Sequence, residues 1–161
     1  MNNRAYSILF SVLVTCFVAA GCEQSRVFDK NTPIDKSGWA YGTALSYEVQ
    51  INDTTQSYNL YINVRHTDAY PYNNIWINMT TTFPDGTKQT TKVDVPLSEP
   101  EGEWMGNCVD GICFNTTLIK SDFFLPQKGK YTFTLEQDMR MNPVPDILDV
   151  GIRVEKFMVT R

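Results

Sequence analysis

The sequence predicts an all-β chain: an antiparallel β-sandwich of about seven to eight strands, immunoglobulin-like or jelly-roll-like, behind an N-terminal lipoprotein signal peptide. Three observations carry this. Apolar and polar residues alternate with period two in run after run, turn formers recur between the runs, and no apolar period of 3.6 lasts beyond one or two turns. One sheet could not cover so many half-apolar strands, so two sheets must face each other. The 161 residues, 42% of them hydrophobic, are enough for one domain with a real core.

Residues 1–21 read as an address rather than as part of the fold. Arg4 supplies a positive start, Ala5 to Ala20 form an apolar block, and Ala19-Ala20-Gly21-Cys22 resembles a bacterial lipobox, although Ala19 stands where Leu is usual. Cleavage then falls between Gly21 and Cys22, and Cys22 becomes the acylated first residue. A transmembrane anchor fits less well, because the block is shorter than the ~20 residues a span needs and no basic cluster follows it. The lipid would do the holding, since each buried CH₂ contributes ~0.8 kcal/mol and two or three chains bind firmly. Residues 22–38, with Asn31-Thr32-Pro33 and Ser37-Gly38, are expected to be an extended tether, and residues 39–161 the sandwich domain.

The strands follow in order. Leu45, Tyr47, Val49 and Ile51 alternate with polar residues. After the polar run Asn52 to Ser57 the same happens with Tyr58, Leu60, Ile62 and Val64, so the two runs are expected to pair as a hairpin. Ile75, Ile77, Met79, Thr81 and Phe83 share a face and lead through Pro84-Asp85-Gly86 into Thr91, Val93, Val95 and Leu97. Phe114 to Ile119 comes next, then Tyr131, Phe133 and Leu135. The last strand carries Leu148, Val150, Ile152 and Val154, and Asn142-Pro143-Val144-Pro145 before it must be a loop.

Four cysteines reduce to one pair once Cys16 leaves and Cys22 is acylated. Cys108 and Cys113 flank Asp110-Gly111, a turn former, so they are expected to face each other and form a disulfide. The spacing is not Cys-x-x-Cys, and no basic residue lies nearby to lower a thiol pKa, which speaks against redox chemistry. Loss of Arg4 takes the formal net charge from -4 to -5. With no basic cluster, nucleic acid is excluded as a partner.

An enzyme reading finds no residue to rest on. His66 is the single histidine and is expected at the surface; a triad or a zinc site normally needs more. Glu99, Glu101 and Glu103 fall in a Pro/Gly loop that reads as solvated and lacks the pattern of a calcium loop. No cofactor or metal is expected. Tyr61 and Trp76 lie on the polar faces of their strands, and Tyr70 and Tyr72 in the connecting loop could extend them into a contact patch for protein or glycan. The plainer alternative is that these rings are covered, or merely stabilise a sheet. Asp53-Thr54-Thr55 matches a short pattern for bacterial O-linked glycosylation at Thr54, whereas the Asn-x-Thr sequons at Asn52, Asn78 and Asn115 are chance in a bacterial lipoprotein.

Three longer stretches go beyond class: His66-Thr-Asp-Ala-Tyr-Pro-Tyr-Asn-Asn-Ile-Trp76 with Phe83-Pro-Asp-Gly86, Val95-Pro-Leu-Ser-Glu-Pro-Glu-Gly-Glu-Trp104, and Glu136 to Lys156. Together with the lipobox they resemble the gliding motility lipoprotein GldH family of Bacteroidota over nearly all of the mature chain. The resemblance implies a lipid-anchored envelope protein, held by default at the outer membrane. It would be linked to the gliding apparatus and to the type IX secretion system through protein contacts, with no catalysis. It assigns no site residue beyond Cys22, and the Cys108/Cys113 loop is not expected of the whole family. A surface glycan-binding module is the alternative function.

Overall fold

The computed structural model describes residues 25–158. It is a sandwich of two antiparallel sheets. In chain order the strands are β1 (Arg26–Pro33), β2 (Leu45–Ile51), β3 (Ser57–Thr67), β4 (Asn74–Thr82), β5 (Lys88–Pro96), β6 (Asn107–Val109), β7 (Ile112–Phe124), β8 (Gly129–Gln137) and β9 (Ile147–Lys156). One sheet has the order β1-β9-β3-β7-β6 and the other β2-β8-β4-β5.

The alternation works as expected. Leu45, Tyr47, Val49 and Ile51 all point inward while the residues between them are exposed, and Ile75 and Ile77 of β4 meet Val150, Ile152 and Val154 of β9 in one core. The β4–β5 hairpin also forms where predicted. Phe83 and Thr87 close it by a backbone hydrogen bond of 2.8 Å, Gly86 takes the positive φ its turn demands, and the Asp85 carboxylate accepts from the Thr87 amide.

Three expectations change. β2 and β3 do not pair: β2 bonds to β8 in one sheet and β3 to β7 and β9 in the other. Each run buries one apolar face in the same core, and period two is satisfied equally by a neighbour in the sheet or a neighbour across it. The segment assigned to a tether contains β1, which pairs with β9 from Arg26 to Pro33. It shows no apolar alternation because its outer side chains are held by hydrogen bonds instead. Asn31 donates to Asp149 at 2.9 Å and accepts from Asn63 at 3.0 Å, while Phe28 packs edge-on against Tyr47. The short β6 completes the nine described strands, two more than the lower expectation.

Cys108 and Cys113 occupy directly paired positions of the β6–β7 hairpin and are joined by a disulfide. The far loops are pinned to one another. Trp39 is fully buried, bridges to Val144 and donates its indole N–H to the Thr43 carbonyl at 2.8 Å. Gly38 beside it has no room for a side chain, since a Cβ there would lie 2.6 Å from the Val144 carbonyl oxygen.

Candidate functional site

The four aromatic residues singled out in the sequence do not form one patch. Tyr61 is on β3 of the five-stranded sheet, under Arg153, whereas Trp76 is on β4 of the other sheet. Tyr70 is buried: its hydroxyl donates to the Asn74 carbonyl at 2.9 Å, and desolvation, with Tyr72 nearby, pushes its phenol well above the usual range. Tyr72 and Trp76, however, do come together. They line a cleft of about 480 Å³ with Asn74, Lys92, Asp138, Met139 and Arg140.

This cleft is built from the β4–β5 register outward. Closure at Thr82↔Lys88 sets Asn78 opposite Lys92 and Trp76 opposite Asp94, so the Lys92 side chain reaches diagonally across to Trp76. Its ammonium lies 5.0 Å from the ring centroid and pairs with the Asp138 carboxylate at 2.6 Å. The Asp138 amide in turn donates to the Trp76 carbonyl at 2.8 Å, and Asn74 donates to Asp94 at 2.6 Å. Met139 is seated by its amide donating to Gln137 at 2.8 Å, and Tyr72 contacts the Met141 sulfur at 3.7 Å.

Chemically the cleft suits recognition rather than catalysis. It offers an indole edge, a phenol, a thioether, an exposed guanidinium at Arg140 and a neutralised ammonium–carboxylate pair. One face of Trp76 is approached by the Lys92 ammonium, which a sugar stacking on that face would have to displace. Lys92 was legible in the sequence by counting register back from Pro84-Asp85-Gly86. Asp138, Met139 and Arg140 were not, because they come from a loop after another strand.

His66 is in the core rather than at the surface. It is fully buried at the end of β3, with its ring 4.7 Å from that of Trp104 and 5.6 Å from that of Tyr70. Nδ1 lies 2.8 Å from the Thr67 carbonyl, so it carries the proton and donates. Nε2 then accepts from the Asn115 amide at 3.2 Å. Desolvation lowers its pKa, opposed in part by the Thr67 bond. Inward placement follows from period two, since Leu60, Ile62, Val64 and His66 share a face.

Among the remaining predicted sites, Thr54 is half-buried in the β2–β3 loop, where Asp53 accepts hydrogen bonds from the Thr55 amide at 2.9 Å and hydroxyl at 2.7 Å. Glu99, Glu101 and Glu103 are exposed in their loop. Among the described residues no three His, Cys, Asp or Glu side chains converge as a metal would need, and no helix is long and apolar enough to cross a membrane. Gly21 and Cys22 lie outside the described residues.

Comparison with known proteins gives the sandwich a lineage. A solved carbohydrate-binding module specific for non-crystalline cellulose matches with a TM-score of 0.43 and 14% identity, covering 81% of this chain and 73% of that one. At that level it carries nothing into the functional argument. The chain is 28% identical to a gliding motility lipoprotein GldH homolog of Christiangramia forsetii, over 96% of this chain and 98% of that one. It is 27% identical to the gliding motility lipoprotein GldH of Flavobacterium johnsoniae, over 90% and 94%. The sequence model of the GldH lipoprotein family matches residues 26–154, from the first strand to the last, and the chain therefore belongs to the GldH lipoprotein family.

Proposed function

We propose that this protein is a lipid-anchored, non-enzymatic accessory component of the gliding motility and type IX secretion apparatus, held at the outer membrane by acylated Cys22 and acting through protein contacts. The observation that carries the reading is the family match across all nine strands, together with relatives named as gliding motility lipoproteins over nearly their full length. The site supports it. The single histidine is committed to the packing of Asn115 and Trp104, and the cleft beside Trp76 presents the aromatic, thioether and Arg groups that protein interfaces favour. The glycan-binding alternative is less well supported, because Lys92 sits over one face of Trp76 and Tyr61 is on the other sheet.

Cross-linking in intact cells followed by affinity recovery from solubilised envelopes tests this reading. The expected result is capture of envelope components of the gliding or secretion machinery, reduced when Trp76→Ala and Arg140→Ala are combined. Normal secretion and movement in a deletion strain, with no such component captured, would sink it. Cys22→Ser is expected to move the protein out of the membrane fraction.

A further inference from the structure

One end of the sandwich combines three features that the accessory role leaves unused. The first is where the chain enters. The Lys156 amide donates to the Ser25 carbonyl at 2.7 Å and the Phe157 amide to the Ser57 carbonyl at 2.8 Å, and Ser57 pairs with Phe124. The start of β1 and the ends of β9 and β7 therefore lie in one row, with Ser25 and Phe124 three strand spacings or about 14 Å apart. Cys22 precedes Ser25 by three residues, which span at most about 11 Å even when extended. A lipid on Cys22 keeps this end within that distance of the bilayer.

The second feature is apolar. Phe124 is 62% exposed and Met158, just beyond β9, is 69% exposed. Phe124 itself lines a cleft of about 360 Å³ together with Met79, Phe83, Ile119 and Phe123. The third is charge. Lys120, Lys128 and Lys156 are exposed at this end. Lys88 is exposed there as well, and against these lysines stand the exposed carboxylates of Asp53, Asp85 and Asp122, the first accepting from Thr55 and the second from Thr87 and Gln127. The opposite end bears Asp35, Asp68, Glu99, Glu101, Glu103 and Asp110, all exposed, which outnumber the exposed Lys36, Arg65 and Arg140 there.

We propose that this end is a membrane-docking face, with Phe124 and Met158 entering the headgroup–acyl boundary of an anionic phospholipid bilayer and Lys120, Lys128 and Lys156 lying against lipid phosphates. The inference rests on the lipid-anchored reading above. Apolar side chains beside a few lysines supply the second signal that strengthens an acyl anchor. The acidic end, repelled by the same surface, then points away and carries the Trp76 cleft toward partners. Docking orients the domain; the lipid retains it.

The test uses the full-length acylated protein reconstituted in vesicles of phosphatidylethanolamine and phosphatidylglycerol. A single cysteine introduced as Phe124→Cys, Met158→Cys or Glu101→Cys is tagged with an environment-sensitive fluorophore, Cys108 and Cys113 being tied in their disulfide. Quenching by nitroxide-bearing lipids is expected to be about threefold or more stronger at 124 and 158 than at 101, the gap narrowing when Lys120, Lys128 and Lys156 are changed to Glu. Met158→Cys lies outside the strands and keeps the readout if position 124 disturbs the cleft. Equal quenching at the two ends on vesicles that co-float with the protein overturns the docking face and leaves the anchor standing. Loss of flotation overturns the anchor, and the docking face with it.

Discussion

At the residue scale, His66 links sequence pattern to a measurable property. Its pKa is lowered below the usual 6.5, first by desolvation, so the folded state prefers the neutral ring. The sign follows. The unfolded chain binds the extra proton first, so His66 contributes fully above about pH 6.5, and stability falls as pH drops from there toward the folded pKa. Asp35, Asp53 and Asp85 act in a separate window. Their pKa values are lowered from 3.8, by bonds from Ser37, Thr55 and Gln127 respectively, so their contribution is present above 3.8 and lost only below it. Stability against urea is therefore expected to fall as the pH drops below about 6.5 in the native protein, and His66→Gln is expected to remove that slope while lowering stability by about 2 kcal/mol at neutral pH. An unchanged slope in the variant would refute the assignment. The inward position of His66 was legible from period two; its partners Asn115 and Trp104, from distant strands and loops, were not.

At the element scale, β1 is the part least visible in the sequence and the most exposed to a single substitution. Its ladder to β9 brings Asn31 directly over Gly151, where any Cβ would fall on the Asn31 side chain and the Lys30 carbonyl. Gly151→Ala is expected to cost about 1–3 kcal/mol by overpacking and to loosen β1, seen as faster amide exchange in β1 than elsewhere in that sheet. Uniform slowing or no change would contradict this. The β6–β7 hairpin behaves differently, since its disulfide closes a loop of sequence separation 5 at a sheet edge. Reduction is expected to lower stability by only about 2 kcal/mol and leave the two sheets intact, and loss of the native far-ultraviolet spectrum on reduction would count against it. The hairpin was readable because Asp110-Gly111 and the two cysteines are local. β1 was not, because side-chain amides and a ladder stabilise it rather than an apolar stripe.

At the scale of the whole molecule, period two fixed which faces are buried but not which strands are neighbours, and the observed order has a consequence for cooperativity. Only β4–β5 and β6–β7 are hairpins; every other connection carries the chain from one sheet to the other. Neither sheet can therefore assemble from a contiguous piece of sequence, and each supplies the apolar face that the other needs. The two are expected to unfold together. Ile77 of β4 and Ile152 of β9 are both fully buried, one in each sheet, and truncation of either to Ala should cost about 2–5 kcal/mol. Native-state hydrogen exchange decides the point. If the sandwich is one cooperative unit, Ile77→Ala lowers the protection of the slowest amides of β8 and β9 by the same amount, and so does Ile152→Ala. If one sheet keeps its protection while the other loses it, the sheets are separable units, and a partner gripping the Trp76 cleft would strain only the four-stranded sheet instead of loading the whole domain against its tether.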